Sequence, residues 1–193
     1  MPVFTLRVLI AIFSLFLISC ASSSPRVTSG DLFSDKTYTL DLDLIAALDP
    51  RPLAIREFSP DPEPRVRGLR ISSRGRIFPV DYEVISAPQI PGKAKLLSDI
   101  SKALDGHADI VAKERGRNDT LGDHIHYFQR VSIDGKPHHV SSNYLFIVND
   151  VFYHLAATSY APTVMPRESW GQPGPDGNAE REVQLLIQAF RAK

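Results

Sequence analysis

Apolar and polar residues alternate along several short stretches of the first half of the chain, which is the pattern of strands with one buried face. The first predicted strand covers residues 38–44. Two more, 66–73 and 76–86, meet at a turn-like Ser-Arg-Gly sequence. Residues 49–65 contain five prolines. Because proline cannot donate a ladder hydrogen bond, we predict that this segment is a loop or an extended stretch at a sheet edge.

The first clear helical pattern covers residues 93–104. Its apolar side chains recur on one face, and Gly106 follows where a helix would end. After it, residues 108–113 are short and ambiguous and favour a strand. The polar stretch 115–122 predicts a loop.

Three strands then follow closely, over residues 124–133, 137–148 and 151–159. Asp134-Gly135 and Asn149-Asp150 separate them, and both pairs are typical of tight hairpin turns. The second and third strands are apolar on both faces, so we expect them in the centre of a sheet that is covered on both sides.

The last part of the chain combines a long loop with a final helix. Residues 160–178 are rich in proline and glycine and predict the loop. From about residue 179 an amphipathic helix is predicted, with acidic residues in its first turn and basic residues in its last, as the helix dipole favours. The residues that indicate this helix are the apolar Val183, Leu186, Ile187 and Phe190, the acidic Glu180 and Glu182, and the basic Arg191 and Lys193.

The order of strands, helix, three-stranded meander and helix predicts an α+β fold: a single, mainly antiparallel sheet with helices packed on both faces, as in an α/β/α sandwich. The Asn-Asp-Val-Phe-Tyr-His-Leu strand, the long loop and the final Val-Gln-Leu-Leu-Ile-Gln-Ala-Phe helix together resemble the PsbP/Mog1/DcrB-like α/β/α family. The resemblance covers roughly residues 35–193. Several bacterial members of that family are envelope lipoproteins, so the resemblance implies that this protein is one as well. The resemblance implies no catalytic residues.

The N-terminus has the arrangement of a secretory signal. Arg7 precedes an apolar run of roughly a dozen residues, which is too short for a stable membrane span. The run ends at Leu17-Ile18-Ser19-Cys20, which resembles the lipobox of bacterial lipoproteins, where the cysteine thiol receives a diacylglycerol and the new N-terminus is usually acylated with a fatty acid such as palmitate. The alternatives are a plain secretory signal with a chance cysteine and an uncleaved anchor.

The resulting division is a signal peptide over residues 1–19, a lipidated Cys20 with a flexible tether over 20–34, and one α/β domain over 35–193. The residue after the cysteine is Ala21 rather than Asp, which by resemblance to enterobacterial sorting favours the outer membrane, with the domain facing the periplasm. Small polar residues dominate the tether.

Composition narrows the possible functions. The chain of 193 residues is long enough for one domain, and its 22 basic and 22 acidic residues give a formal net charge of zero. This balance argues against general binding to nucleic acid. With one cysteine, no intrachain disulfide and no cysteine-based zinc cluster can form.

The histidines of the meander are the main candidates for chemistry. With two-residue turns, His124, Leu145 and His154 are predicted to form one cross-strand row, with His126 beside Asn143 on the same face. Across two strand spacings the outer imidazoles would lie about 9–10 Å apart, too far to share one zinc ion. We therefore expect half-buried histidines with hydrogen-bond partners, and keep a metal site on His124, His126 and His154 as an alternative.

Two further features are candidates for binding. Five arginines lie within residues 65–76. They form either a patch that binds anionic groups or a solvated strand face whose charge is balanced by nearby acids. Trp170 and the neighbouring Arg167 lie in the long loop and are either a binding anchor or part of a lid. The arginines are Arg65, Arg67, Arg70, Arg74 and Arg76, and the acids are Asp61, Glu63, Asp81 and Glu83.

The sequence lacks the nucleophile-elbow, zinc-protease, phosphate-loop and dinucleotide motifs. We therefore predict a lipid-anchored envelope protein, without cofactor or catalysis, that binds an envelope protein partner or a small ligand. One alternative is an immunity lipoprotein that inhibits a toxin delivered to the periplasm. The other is a histidine-based metal-binding protein or enzyme.

Overall fold

A computed structural model describes residues 32–46, 53–59, 66–73, 80–88, 93–160 and 175–193. The predicted signal peptide, Cys20, Arg167 and Trp170 lie outside these ranges, as do the predicted turn at 73–75 beyond Ser73 and most of the loop at 160–178. Among the described residues, no helix is long and apolar enough to cross a membrane.

Strands dominate the described residues. In chain order the elements are β1 (Leu32–Ser34), β2 (Tyr38–Asp41), α1 (Leu42–Ala46), β3 (Ala54–Phe58), β4 (Arg67–Ser73), β5 (Val80–Pro88), α2 (Lys93–Leu104), β6 (Ile110–Asn118), β7 (Gly122–Ile133), β8 (Lys136–Val148), β9 (Val151–Tyr160), α3 (Pro175–Ala189) and β10 (Phe190–Ala192).

The strands form two antiparallel sheets. The larger has seven strands in the order β3-β4-β5-β9-β8-β7-β6, and the smaller has three in the order β1-β2-β10. The fold is therefore α+β and mainly antiparallel, but the prediction of a single sheet is wrong. The second sheet exists because β10 pairs with β2 through Phe190 and Leu40, while β1, which the sequence placed at the end of the tether, pairs with the other side of β2.

The predicted first strand is half strand and half helix. β2 ends at Asp41, whose carboxylate Oδ1 accepts hydrogen bonds from the backbone N–H groups of Asp43, at 3.0 Å, and Leu44, at 3.4 Å. This is an N-cap, and it starts α1 where alternation alone predicts a longer strand. The prediction is therefore wrong for residues 42–44.

Both edge strands of the large sheet contain polar side chains. β3 lies at one edge, inside the segment predicted to be a loop or an extended edge stretch. β6 lies at the other edge and runs to Asn118, so the predicted loop over 115–122 is wrong for residues 115–118. Arg115 pairs with Ile125 of β7, and the chain turns only where Asn118 Oδ1 accepts the backbone N–H of Leu121 at 2.7 Å. An edge strand tolerates polar residues because one of its sides meets water.

Both predicted hairpin turns are confirmed. Asp134 and Gly135 have φ of 53° and 71°, and Asn149 and Asp150 have φ of 50° and 65°. Positive φ at both central residues is the mark of the two-residue hairpin turn whose twist matches that of the flanking strands.

A β-bulge shifts the register of the first hairpin. Val131 pairs with His139 and Ser132 with Pro137, so His138 is an extra residue on β8. Beyond the bulge, His126 is opposite Tyr144 and His124 is opposite Phe146. The predicted pairings with Asn143 and Leu145 are therefore wrong by one residue, which moves the two histidines to the other face of the sheet.

The last helix begins and ends earlier than predicted. It starts at Pro175, which suits the first helical turn because that turn needs no backbone N–H from its first residues. It ends at Ala189, and Phe190 and Arg191 belong to β10. The predicted dipole pairing is therefore wrong, since Glu180 and Glu182 lie beyond the first turn and the basic residues lie after the helix.

Two clusters of buried side chains hold the sheet to its helices. The larger joins Tyr144 and Phe146 of β8 to Leu186 of α3. The second joins Leu145 of β8 to Ile100 of α2. Leu145 lies between Tyr144 and Phe146 along β8, and successive side chains of a strand point to opposite sides. Leu145 therefore points away from the side on which its two neighbours join the larger cluster.

Candidate functional site

His126 lies at the centre of a polar cluster on the face of the sheet that carries Tyr144. Its side chain is only 7% exposed. The ring stacks on Tyr144, with centroids 4.3 Å apart and planes at 14°, and meets Phe128 at 4.8 Å and 62°. These two aromatic contacts fix the plane of the imidazole and therefore the directions of its two nitrogens.

Both imidazole nitrogens have polar partners from other elements. Nδ1 lies 3.0 Å from Glu114 Oε1 on β6. Nε2 lies 3.0 Å from Glu180 Oε2 on α3 and 3.0 Å from Ser142 Oγ on β8. The Ser142 hydroxyl donates its hydrogen to Glu180 Oε2 at 2.6 Å. Only the doubly protonated ring gives every one of these acceptors a hydrogen, because both nitrogens then donate.

The second carboxylate oxygen of Glu180 is also bound. Tyr144 donates its hydroxyl to Oε1 at 3.2 Å, and Gln184, one helical turn further along α3, donates its amide to the same oxygen at 2.9 Å. Gln184 also donates to the Tyr144 hydroxyl at 2.9 Å. The network thus ties α3 to the sheet through polar contacts beside the apolar core.

The electrostatics favour the charged forms of His126 and Glu180. Burial lowers the pKa of His126, but the hydrogen bonds and negative charges of Glu180 and Glu114 outweigh burial, and the pKa is raised from 6.5. Burial raises the pKa of Glu180, but hydrogen bonds from His126, Ser142 and Gln184 outweigh that effect and lower its pKa to about 2. Burial and the Glu180 charge raise the pKa of Tyr144, so its hydroxyl stays protonated.

Ser142, His126 and Glu114 are spaced like the serine, histidine and acid of a hydrolase, with both hydrogen-bond distances at 3.0 Å. The chemistry does not fit. Ser142 has no exposed surface, and its hydroxyl donates to Glu180 rather than to the imidazole. A histidine whose pKa is raised beside two carboxylates is a poor general base. The cluster can therefore hold elements together, but it cannot activate Ser142 as a nucleophile.

The three histidines considered as metal ligands are not brought together. His124 Nδ1 lies 3.0 Å from the Gly122 carbonyl oxygen, on the His126 face. His154 lies on the opposite face, where Nε2 is 3.0 Å from Asn143 Oδ1, and burial lowers its pKa to about 4. Its predicted pairing with Leu145 is confirmed. Within the described ranges, no three His, Cys, Asp or Glu side chains are arranged to hold one metal ion.

The described arginines of the crowded segment are paired with acids. Arg70 of β4 donates Nε to Glu83 Oε1 of β5 at 2.6 Å, one of the acids expected to balance it. Arg67 bonds to Asp35 at 3.0 Å, a partner that the sequence did not indicate. Arg65, Arg74 and Arg76 lie outside the described residues.

Sequence reasoning missed most of the cluster around His126. Glu114 falls in a stretch without a clear pattern, and Glu180 was assigned only to the helix dipole. Ser142 carries no signal of its own. The single available hint was Pro137, because a proline inside a strand often accompanies a bulge, and the bulge decides which residues of β7 face α3.

No family model matches the chain, and no curated protein matches it. Among solved structures, the chain is similar to the solution structure of cyanobacterial PsbP (CyanoP) from Synechocystis sp. PCC 6803. The TM-score is 0.47 and the identity 11%, over 92% of this chain and 99% of that chain.

Proposed function

We propose that the protein is a bacterial lipoprotein of the outer membrane whose domain faces the periplasm and binds an envelope partner without catalysis. The observation that carries this proposal is Leu17-Ile18-Ser19-Cys20 at the end of the apolar N-terminal run. The chain's only cysteine stands at the position where a lipobox places the lipidated residue.

The proposed anchor has a clear physical role. A single acyl chain holds a protein to a bilayer weakly, whereas two or more hold it stably. A diacylglycerol on the Cys20 thiol and a further acyl group on its amine supply that number. The small polar residues that follow act as the tether, and the anchor raises the effective concentration of the domain for partners in the same membrane.

A non-catalytic role is supported by the polar cluster around His126. Its one hydroxyl in nucleophile position belongs to the fully buried Ser142, which donates to Glu180. Ion pairs and hydrogen bonds of this kind position α3 on the sheet. The proposed partner contacts are Trp170 and Arg167, which lie outside the described residues and are the first to substitute.

We also propose that the domain is an α/β/α sandwich of PsbP-like type, with α2 and α3 on opposite faces of the large sheet. The two buried clusters support this arrangement, because Ile100 of α2 packs with Leu145 while Leu186 of α3 packs with Tyr144 and Phe146.

The anchor is tested by Cys20→Ser, with Ser23→Ala as the control that leaves the thiol in place. Cells are labelled with radioactive palmitate and their membranes are separated on a density gradient. The control is expected to carry label and to sediment with outer membranes, whereas Cys20→Ser is expected to lose both properties. A Cys20→Ser variant that still sediments with outer membranes contradicts the proposal.

A further inference from the structure

The bulge in β8 places two consecutive histidines on the same side of the strand. In a regular strand, neighbouring side chains point to opposite faces. Here His138 is the extra residue of the bulge, and its ring meets that of His139 at a centroid distance of 5.0 Å. The two Nδ1 atoms lie 2.7 Å apart. Bulges are known to re-aim side chains in this way beside functional sites.

A metal ion bound to both nitrogens would need a separation that depends on its coordination geometry. With metal–nitrogen bonds of about 2.0–2.1 Å, two neighbouring corners of a square lie about 2.9 Å apart, and two corners of a tetrahedron about 3.3 Å apart. Two nitrogens on opposite sides of a metal would be about 4 Å apart on the same bond lengths. The 2.7 Å between the two Nδ1 atoms is a hydrogen-bond distance. Moving the rings apart by about 0.2 Å would give the square arrangement that copper(II) and nickel(II) prefer, whereas the tetrahedral arrangement of zinc needs a larger movement.

The surroundings suit a site that is open on one side. His138 is exposed to solvent, whereas His139 is only 4% exposed. The Tyr160 ring packs beside the pair, with its centroid 5.9 Å from that of His138 and 5.8 Å from that of His139. The Tyr160 hydroxyl donates a hydrogen bond to Asp81 at 2.8 Å, which holds the ring in place. A metal on the two nitrogens would therefore keep corners that water or a ligand can reach.

We propose that the Nδ1 atoms of His138 and His139 form a binding site for copper(II), with water completing a square-planar arrangement. One Nδ1 now carries the hydrogen that the other accepts. On binding, that hydrogen moves to the Nε2 of the same ring, and each Nδ1 then gives its lone pair to the metal. Copper(II) has the highest affinity of the first-row divalent metals for such ligands. Nickel(II) and zinc(II) should therefore both bind more weakly than copper(II).

The test uses the purified full-length protein in detergent, titrated with copper(II) chloride. Electron paramagnetic resonance of the copper counts the bound nitrogens, and competition with a chelator of known affinity gives the dissociation constant. His138→Ala removes the exposed ligand. His107→Ala is the matched control, because His107 is the other exposed histidine of the chain. Circular dichroism before and after heating establishes that both variants fold as the unsubstituted protein does.

We expect one copper per chain with two coordinated nitrogens. The affinity of His138→Ala should be at least about tenfold lower, because even the loss of a group that only orients a ligand costs about 10–100-fold. His107→Ala is expected to bind as the unsubstituted protein does. The proposal is overturned by a copper signal without nitrogen ligands, by equal affinities of His138→Ala and the unsubstituted protein, or by zinc(II) binding as tightly as copper(II).

Discussion

Among single residues, His126 shows how this domain uses a buried charge. The ring is almost fully enclosed, yet Glu114 and Glu180 approach its two nitrogens from β6 and α3. Burial of an isolated charge is costly, and an opposing carboxylate on each nitrogen offsets that cost. The stability of the domain is thereby linked to the protonation of His126 and Glu180.

The first prediction concerns the pH dependence of stability. Because the pKa of His126 is raised above 6.5 in the folded state, its contribution is complete below pH 6.5 and is lost as the pH rises through the folded value. Because the pKa of Glu180 is lowered from 4.5 to about 2, its contribution is complete above pH 4.5 and is lost as the pH falls toward 2. Urea unfolding should therefore show both contributions complete between pH 4.5 and 6.5.

His126→Gln tests the same linkage by removing the titrating group. It should cost about 2 kcal/mol at pH 6, the value of hydrogen bonds that involve charged groups, and less above the folded pKa of His126. If the cost of the substitution were the same at pH 6 and pH 9, the ionic part of this account would be wrong.

The second prediction concerns the close contact between His124 and the edge strand. A methyl group on Gly116 of β6 would lie 2.6 Å from His124 Nε2, so Gly116→Ala must displace the ring. We expect a cost of about 1–3 kcal/mol, the range for overpacking. In a double-mutant cycle, His124→Ala should remove most of this cost. Additive effects of the two substitutions would contradict the contact.

Among the elements, the hairpin turns place the strictest requirement on backbone conformation, because their central residues need a positive φ. The third prediction is that Gly135→Ala costs about 1–2 kcal/mol, because a side chain at a φ of +71° meets its own backbone. Gly106→Ala is the matched control. At both positions a new Cβ has open space within 4 Å, but only Gly135 has a positive φ. Equal thermal stabilities of the two variants would contradict this explanation.

The elements also show what could be predicted from the sequence. The helix over 93–104 and both hairpin turns were predicted correctly, since periodicity and turn residues are local signals. The end of β2 at Asp41 and the second half of β6, over residues 115–118, were not. In those places a side-chain cap and the pairing with β7 outweigh the local pattern.

The candidate site could be predicted only in part. The histidines were recognised as candidates, but the bulge at His138 reversed the face on which His124 and His126 were expected. The partners Glu114 and Glu180 come from distant segments, and their meeting depends on how β6 and α3 are placed relative to β7. Sequence periodicity carries no information on that placement.

At the scale of the whole molecule, the end of the chain closes the domain. Phe190 of β10 stacks against Tyr38 of the small sheet at 5.6 Å and meets Tyr153 and Phe146 of the large sheet at 5.0 and 5.7 Å. One buried ring therefore joins the two sheets. Lys193 adds a hydrogen bond from its amine to Ser34 Oγ at 2.8 Å.

The fourth prediction follows from this central position. Phe190→Ala should lower the free energy of unfolding by about 3–5 kcal/mol, as for other buried aromatic side chains. Ile133→Ala serves as the control, because Ile133 is 52% exposed and should change stability by less than about 0.5 kcal/mol. Chemical denaturation followed by tyrosine fluorescence measures both. Similar losses in the two variants would contradict the role of Phe190.

The account of function rests on the modification of Cys20, and mass spectrometry of the mature protein from bacterial membranes tests it most directly. The predicted result is an N-terminal peptide that begins at Cys20 and carries a diacylglycerol on sulfur with an acyl group on the amine. A peptide that runs continuously from Ser19 to Ala21 with an unmodified thiol would contradict the account.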